Sequence, residues 1–130
     1  MAISDKARAL LSGKNLGMLG TVGSDGAAQV TPVWVSVEGD QPVFNTAEGR
    51  PKWKHMTRDP RVTLTLLDPE NAYDYVELRG EVELENGPEA TEMIHTLAKK
   101  YLDQDRYPWL KDGEVRVTCR MSVSKEMGMA

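Results

Sequence analysis

Residues 75–84 read Tyr-Val-Glu-Leu-Arg-Gly-Glu-Val-Glu-Leu. Val76, Leu78, Val82 and Leu84 fall on one side of an extended chain, and Glu77, Arg79, Glu81 and Glu83 on the other. Successive side chains of a strand point to opposite faces, so this run predicts a strand with one dry and one wet face. A wet face is tolerated by antiparallel sheets and rarely by parallel ones. Gly80 falls on the apolar side, where another backbone can approach closely. Residues 115–123 repeat the pattern: Val115, Val117, Cys119, Met121 and Val123 are expected to face in, and Arg116, Thr118, Arg120 and Ser122 to face out. In residues 62–66, Val62, Leu64 and Leu66 alternate with threonines.

Upstream, residues 16–22 and 27–37 read as two strands joined by the turn Gly23-Ser24-Asp25-Gly26. Pro32 interrupts the second of them, which places it at a sheet edge or a bulge, because proline cannot donate to a ladder. Glu38-Gly39-Asp40 makes a further turn, and residues 42–46 a short strand. Three helices complete the reading. The first begins at Ser4, a good N-cap, with Ala7, Leu10 and Leu11 at helical spacing. The second runs over residues 51–59, with Pro51 at its first position and Pro60 ending it. Asn86-Gly87-Pro88 starts the third, whose buried stripe is Ala90, Met93, Ile94, Leu97 and Tyr101. The expectation is a mainly β (α+β) protein, six antiparallel strands closing into a small barrel with flanking helices. A parallel α/β fold does not fit, because helices do not alternate with strands.

At 130 residues the chain suits one domain, residues 1–130. No apolar run approaches the roughly 20 residues of a membrane span, and none has the length of a secretion signal, so a cytoplasmic location is expected. One cysteine, Cys119, excludes an internal disulfide, and two histidines, His55 and His95, argue against a zinc enzyme. Cys119 reads as a buried core residue and His95 as structural. No nucleophile elbow, phosphate-binding Walker loop or dinucleotide-binding glycine fingerprint is present. The Glu77, Glu81 and Glu83 carboxylates sit on the wet face of their strand and read as solvated surface.

The net charge of −4 is uneven. Between residues 50 and 61, Arg50, Lys52, Lys54, Arg58 and Arg61 face only one acid, Asp59. A cationic island on an acidic chain suits a small anionic ligand better than nucleic acid, which wants a broader basic face. The stretch Asn45-Thr46-Ala47-Glu48-Gly49-Arg50-Pro51-Lys52 ends a strand, turns through small residues and opens a helix. Open N–H groups and the dipole at a helix start favour phosphate, and arginine and lysine add charge. A solvated basic helix face has the same composition. Trp34 and Trp53 read as core residues, and Trp109 as a residue that packs a dimer or else caps the pocket, the first being favoured.

The order Thr31-Pro32-Val33-Trp34, Phe44-Asn45-Thr46, Gly49-Arg50-Pro51-Lys52, Arg58-Asp59-Pro60-Arg61-Val62, Val76-Glu77-Leu78-Arg79-Gly80 resembles the pyridoxamine 5′-phosphate oxidase-like superfamily. Within it the chain is most similar to the B-type flavin/deazaflavin oxidoreductases, which use coenzyme F420. The likeness covers roughly residues 4–123 and implies an FMN-binding type of split β-barrel. It implies a homodimer with two cofactor sites at the subunit interface. Thr46, Arg50 and Lys52 would bind the cofactor phosphate, beside Ala47 and Gly49 of the same turn. Thr31, Pro32, Val33 and Trp34 would wall the ring system, and Tyr73 and Tyr75 match the segment that the partner subunit lends. His55 stands where most relatives have asparagine, and its charge can vary with pH.

Hydride transfer between such a ring and a substrate needs no protein nucleophile, which agrees with the missing motifs. Three functions follow. The first is an F420-dependent oxidoreductase acting on a small unsaturated or quinone-like substrate, its acidic cofactor tail met by Lys54, Arg58 and Arg61. The second is an FMN-dependent oxidase or reductase, and the third a non-catalytic binder of flavin or haem. Pyridoxamine phosphate oxidation itself fits less well, because no second phosphate site is evident. Neither a metal site nor a nucleic-acid or membrane partner is expected.

Overall fold

The structure is a computed structural model and describes residues 1–128. In chain order the elements are α1 (Asp5–Ser12), β1 (Gly17–Val22), β2 (Ala28–Val33), β3 (Ser36–Glu38), β4 (Gln41–Ala47), α2 (Pro51–Arg58), β5 (Arg61–Asp68), β6 (Asn71–Asn86), α3 (Pro88–Leu102) and β7 (Arg116–Gly128). All strands join one antiparallel sheet in the order β2-β1-β5-β6-β7-β4-β3. The helices flank it. None of the described helices is long and apolar enough to cross a membrane.

The sheet has seven strands rather than six, and it does not close. The run expected as one strand over residues 27–37 is two. β2 pairs only with β1, and β3 only with β4, so the two halves of that run lie at opposite edges of the sheet. Only Trp34 and Val35 separate them. From Val33 to Ser36 the chain spans at most about 11 Å. The sheet must therefore curl until its two edges face each other across this crossover, without a ladder between them. Pro32 lies opposite Met18 on β2, an edge strand, where its missing N–H costs least.

The inner side of the curl is the core. Leu19, Phe44, Leu64, Leu66, Leu78 and Met121 are fully enclosed there with the Cys119 thiol. Ser4 caps α1 by accepting from the Ala7 N–H at 3.0 Å, and Ala7 and Leu11 bring that helix onto the same core. Where Gly80 stands, a β-carbon would sit 1.9 Å from the Ser122 carbonyl oxygen. The β6–β7 register shifts at this point, so the close backbone approach expected there is real.

α3 packs on the other side of the sheet, against β4 and β7. This corrects the expected facing of the last strand. Val115 is 42% exposed, whereas Arg116 and Thr118 are each 3% exposed. The alternation is intact, but the outer face stays dry until Arg120 because the helix covers it. The end of α3 also fixes the crossover. The Tyr101 hydroxyl donates to Asn15 O at 2.5 Å and accepts from Val35 N at 3.0 Å. The Lys100 ammonium donates to the carbonyls of Leu11 and Val35 at 2.8 and 2.6 Å. Trp34 is thereby held against α3, its ring stacked on Tyr101 at 5.3 Å and 8°.

Candidate functional site

β4 ends at Ala47, and the chain turns through Glu48, Gly49 and Arg50 into α2. Gly49 has φ +91°, a conformation that glycine adopts without strain. Arg50 is extended, as a residue before proline must be, and forms the N-cap. Its carbonyl accepts from Lys54 N at 3.0 Å, so the N–H groups of Lys52 and Trp53 have no intrahelical partner. This helix start opens onto a cavity of about 240 Å³. Pro32, Val33 and Trp34 form one side of it, Arg50 and Lys52 another, and Asn45 and Arg116 a third. Tyr107 and Trp109 complete the rim.

The charge here is unbalanced. Glu114 spans two arginines, 3.5 Å from Arg50 Nη2 and 3.5 Å from Arg116 Nη1. Arg116 Nε donates to Asn45 Oδ1 at 2.9 Å, and Asn45 Nδ2 donates to Ala90 O at 2.9 Å. Among the described residues Lys52 has no ion-pair partner. Burial, and then the neighbouring Arg50 charge, hold its ammonium below the usual lysine range. Two arginines thus share one carboxylate, and among the described residues the lysine beside them has none. Two buried polar atoms of this ion-pair cluster lack a hydrogen bond among the described residues, Arg116 Nη1 and the Glu114 Oε2 that faces it, and so does the Thr46 hydroxyl on the opposite face of β4 from Asn45. An unspent guanidinium N–H beside excess positive charge fits an oxyanion such as phosphate.

The wall is aromatic. Trp34 meets Tyr107 edge-on at 5.9 Å and Trp109 at 6.4 Å, and Tyr107 meets Trp109 edge-on at 5.6 Å. Trp109, expected to pack the dimer or cap the pocket, is 59% exposed in the single chain and stands at the cavity rim. His95 is buried and structural. Its Nδ1 accepts from Tyr107 N at 2.9 Å and so anchors the segment that carries Tyr107. An aromatic wall against a cationic corner suits a ligand that joins an apolar ring to a phosphate. The family model of pyridoxamine 5′-phosphate oxidase matches residues 3–119. The chain belongs to this family.

Solved structures agree. An F420 reductase superposes with a TM-score of 0.82 at 28% identity, over 96% of this chain and 98% of that one. The protein Rv2991 from Mycobacterium tuberculosis follows at 0.76 and 22% identity, over 97% and 84%. A heme-binding protein from Mycobacterium smegmatis matches at 0.67 and 20%, over 97% of this chain and 54% of that one.

Of the residues that the likeness to the pyridoxamine 5′-phosphate oxidase family implies, Pro32, Val33, Trp34, Arg50 and Lys52 line the one cavity. Thr46, Ala47 and Gly49 belong to β4 and the turn that precede Arg50, and they do not line the cavity. Thr31 lies opposite Leu19 in the β1–β2 ladder and does not line it. His55 turns toward β1, with Nδ1 2.9 Å from Thr21 Oγ1. Tyr73 and Tyr75 stand on β6, exposed and away from the cavity of their own chain. The cationic island does not converge. Arg58 donates to Val22 O at 2.7 Å, and Arg61 pairs with Asp59 at 2.7 Å. Arg61 borders a different, larger concavity of about 950 Å³ on the strands, which none of these candidate residues lines. The cation that sequence reasoning missed is Arg116. The signal available for it was the apolar stripe of α3, which had to cover some strand face.

Proposed function

We propose that this protein is an F420-dependent oxidoreductase that moves a hydride between reduced F420 and a small unsaturated or quinone-like substrate. The observation that carries the reading is the cavity itself, where an excess of cations adjoins an aromatic wall. F420, when bound, supplies the hydride chemistry. The chain's own residues bind, orient and exclude water. Arg50 and Lys52 would hold the cofactor phosphate, with the Thr46 hydroxyl and the turn at Ala47 and Gly49 beside them. Residues Thr31 to Trp34 would set the plane of the ring. His55 would steady α2 through Thr21. The protein would act as a homodimer, each copy lending Tyr73 and Tyr75 to its partner's site. The exposed Val30, Leu67 and Tyr73 side chains supply apolar surface for that contact. The F420 reductase at 28% identity supports the choice of coenzyme.

FMN is the second reading, and one observation favours it. Arg58 and Arg61 are engaged elsewhere, so the local charge excess suits a single phosphate as well as a long acidic tail. The test is titration of the apo protein with F420 and FMN side by side, followed by turnover of reduced F420 with enones and quinones. Saturable quenching of F420 fluorescence with turnover supports the proposal. Tight FMN binding with no F420 binding replaces it by the second reading. Binding without turnover makes the protein a carrier, and a haem absorption band in the purified protein would point to haem.

A further inference from the structure

Arg116 is enclosed on β7, yet its Nη1 has no hydrogen bond among the described residues. Asn45 secures its Nε, and its guanidinium lies 5.1 Å from the centre of the Tyr107 ring. A buried guanidinium with an unspent N–H is costly unless something completes it. The charge beside it, Glu114, stands 3.5 Å away and divides itself between Arg116 and Arg50. Both contacts are longer than the 2.7–2.9 Å of a strong charge-assisted hydrogen bond. The two arginines thus flank a space the size of one carboxylate, and Lys52 lines the same cavity without an ion pair. Glu114 follows Gly113, whose φ is +75°, in the segment that also carries Trp109.

We propose that Arg116 is a phosphoryl-binding residue of this cavity and that Glu114 is its resident counter-ion, displaced when the phosphoryl group enters. The proposal rests on the coenzyme reading above and extends it to two residues which that reading does not use. A carboxylate shared by two guanidiniums stands in for an oxyanion. A phosphoryl group brings more charge and more acceptor oxygens to the same donors. Leaving Arg116 would move Glu114 out from between the two arginines.

The test compares wild type with Glu114→Gln and Arg116→Gln, using F420, FMN, riboflavin and inorganic pyrophosphate as probes. Removing an internal competitor of ordinary ion-pair strength is expected to tighten FMN or F420 binding about fivefold. Riboflavin, which has no phosphate, should be unaffected. Glu114→Gln should also melt lower than wild type without anion and recover with pyrophosphate, because three cations are left unneutralised. Arg116→Gln should weaken FMN or F420 binding about tenfold. If that variant does not fold, Glu114→Gln alone decides. Unchanged or weaker phosphate-ligand binding in Glu114→Gln overturns the proposal, as does equal tightening of riboflavin. Should wild type bind neither F420 nor FMN, the coenzyme reading fails, and the pyrophosphate melting shift still decides for or against the oxyanion seat.

Discussion

Lys52→Ala separates the contribution of one cation to ligand binding from its contribution to folding. Lys52 is half-buried at the first turn of α2 and forms no ion pair among the described residues. A hydrogen bond between charged groups nets about 1.5–3 kcal/mol. Partial exposure puts Lys52 at the low end, about 1.5 kcal/mol, and since tenfold corresponds to about 1.4 kcal/mol, cofactor affinity should fall at least tenfold. Stability should move the other way. No pair is broken, and the repulsion from Arg50 and Arg116 that helps lower the Lys52 pKa is relieved. The melting temperature should therefore hold or rise. The depressed pKa adds a pH signature. Between it and the ordinary value of 10.5 the unfolded chain binds more protons than the folded one, so the free protein gains stability as pH rises through that window. Phosphate wants the charged form, so affinity should fall as pH rises through the lowered pKa. Lys52→Arg keeps the charge and should remove that alkaline decline. Fluorescence titration and thermal melting over a pH series read all of this. An unchanged dissociation constant in Lys52→Ala would refute the reasoning, and a lower melting temperature would show that Lys52 is structural.

Gly80→Ala should lower the melting temperature by at least about 5 °C, because its β-carbon meets backbone that cannot move aside; a melting temperature within a degree of wild type would contradict the close approach. Burial pushes the Cys119 thiol up to about 12, so a thiol reagent at pH 8 should label it only after denaturation, and fast labelling of native protein would contradict its placement. As pH rises above about 9 that thiol ionises more readily in the unfolded chain, so it should cost stability there. Tyr73→Ala removes a side chain 80% exposed in the single chain, so the fold should be unaffected while cofactor affinity falls about fivefold. Equal affinity in that variant would remove the partner's tyrosine from the site.

The strands were legible wherever one face is wet, as in β5 and β6, because water and core select opposite residue types at alternate positions. What failed is instructive. Val33-Trp34-Val35-Ser36 contains no glycine, proline or asparagine, so nothing local breaks the strand. The break is made from afar, by the Tyr101 hydroxyl and the Lys100 ammonium on the backbone of Val35. That one crossover accounts for a seventh strand and an open sheet. Arg116 failed for a related reason: alternation identifies the two faces of a strand but not which face a helix will cover. The turn from Thr46 to Lys52 was readable because its glycine, its proline and its cations act locally. The wider island was misleading, since Arg50 and Arg58 lie at opposite ends of a helix about 12 Å long. Glu114 left no mark in the sequence, because its partners come from β7 and from the start of α2.

The most direct test of the account is a crystal structure of the protein grown with F420 or FMN. The account predicts the cofactor phosphate within hydrogen-bond distance of Arg50 and Lys52, and the ring against residues 31–34. A cofactor bound in the 950 Å³ concavity on the strands, with the Arg50–Lys52 corner filled by solvent, would contradict it.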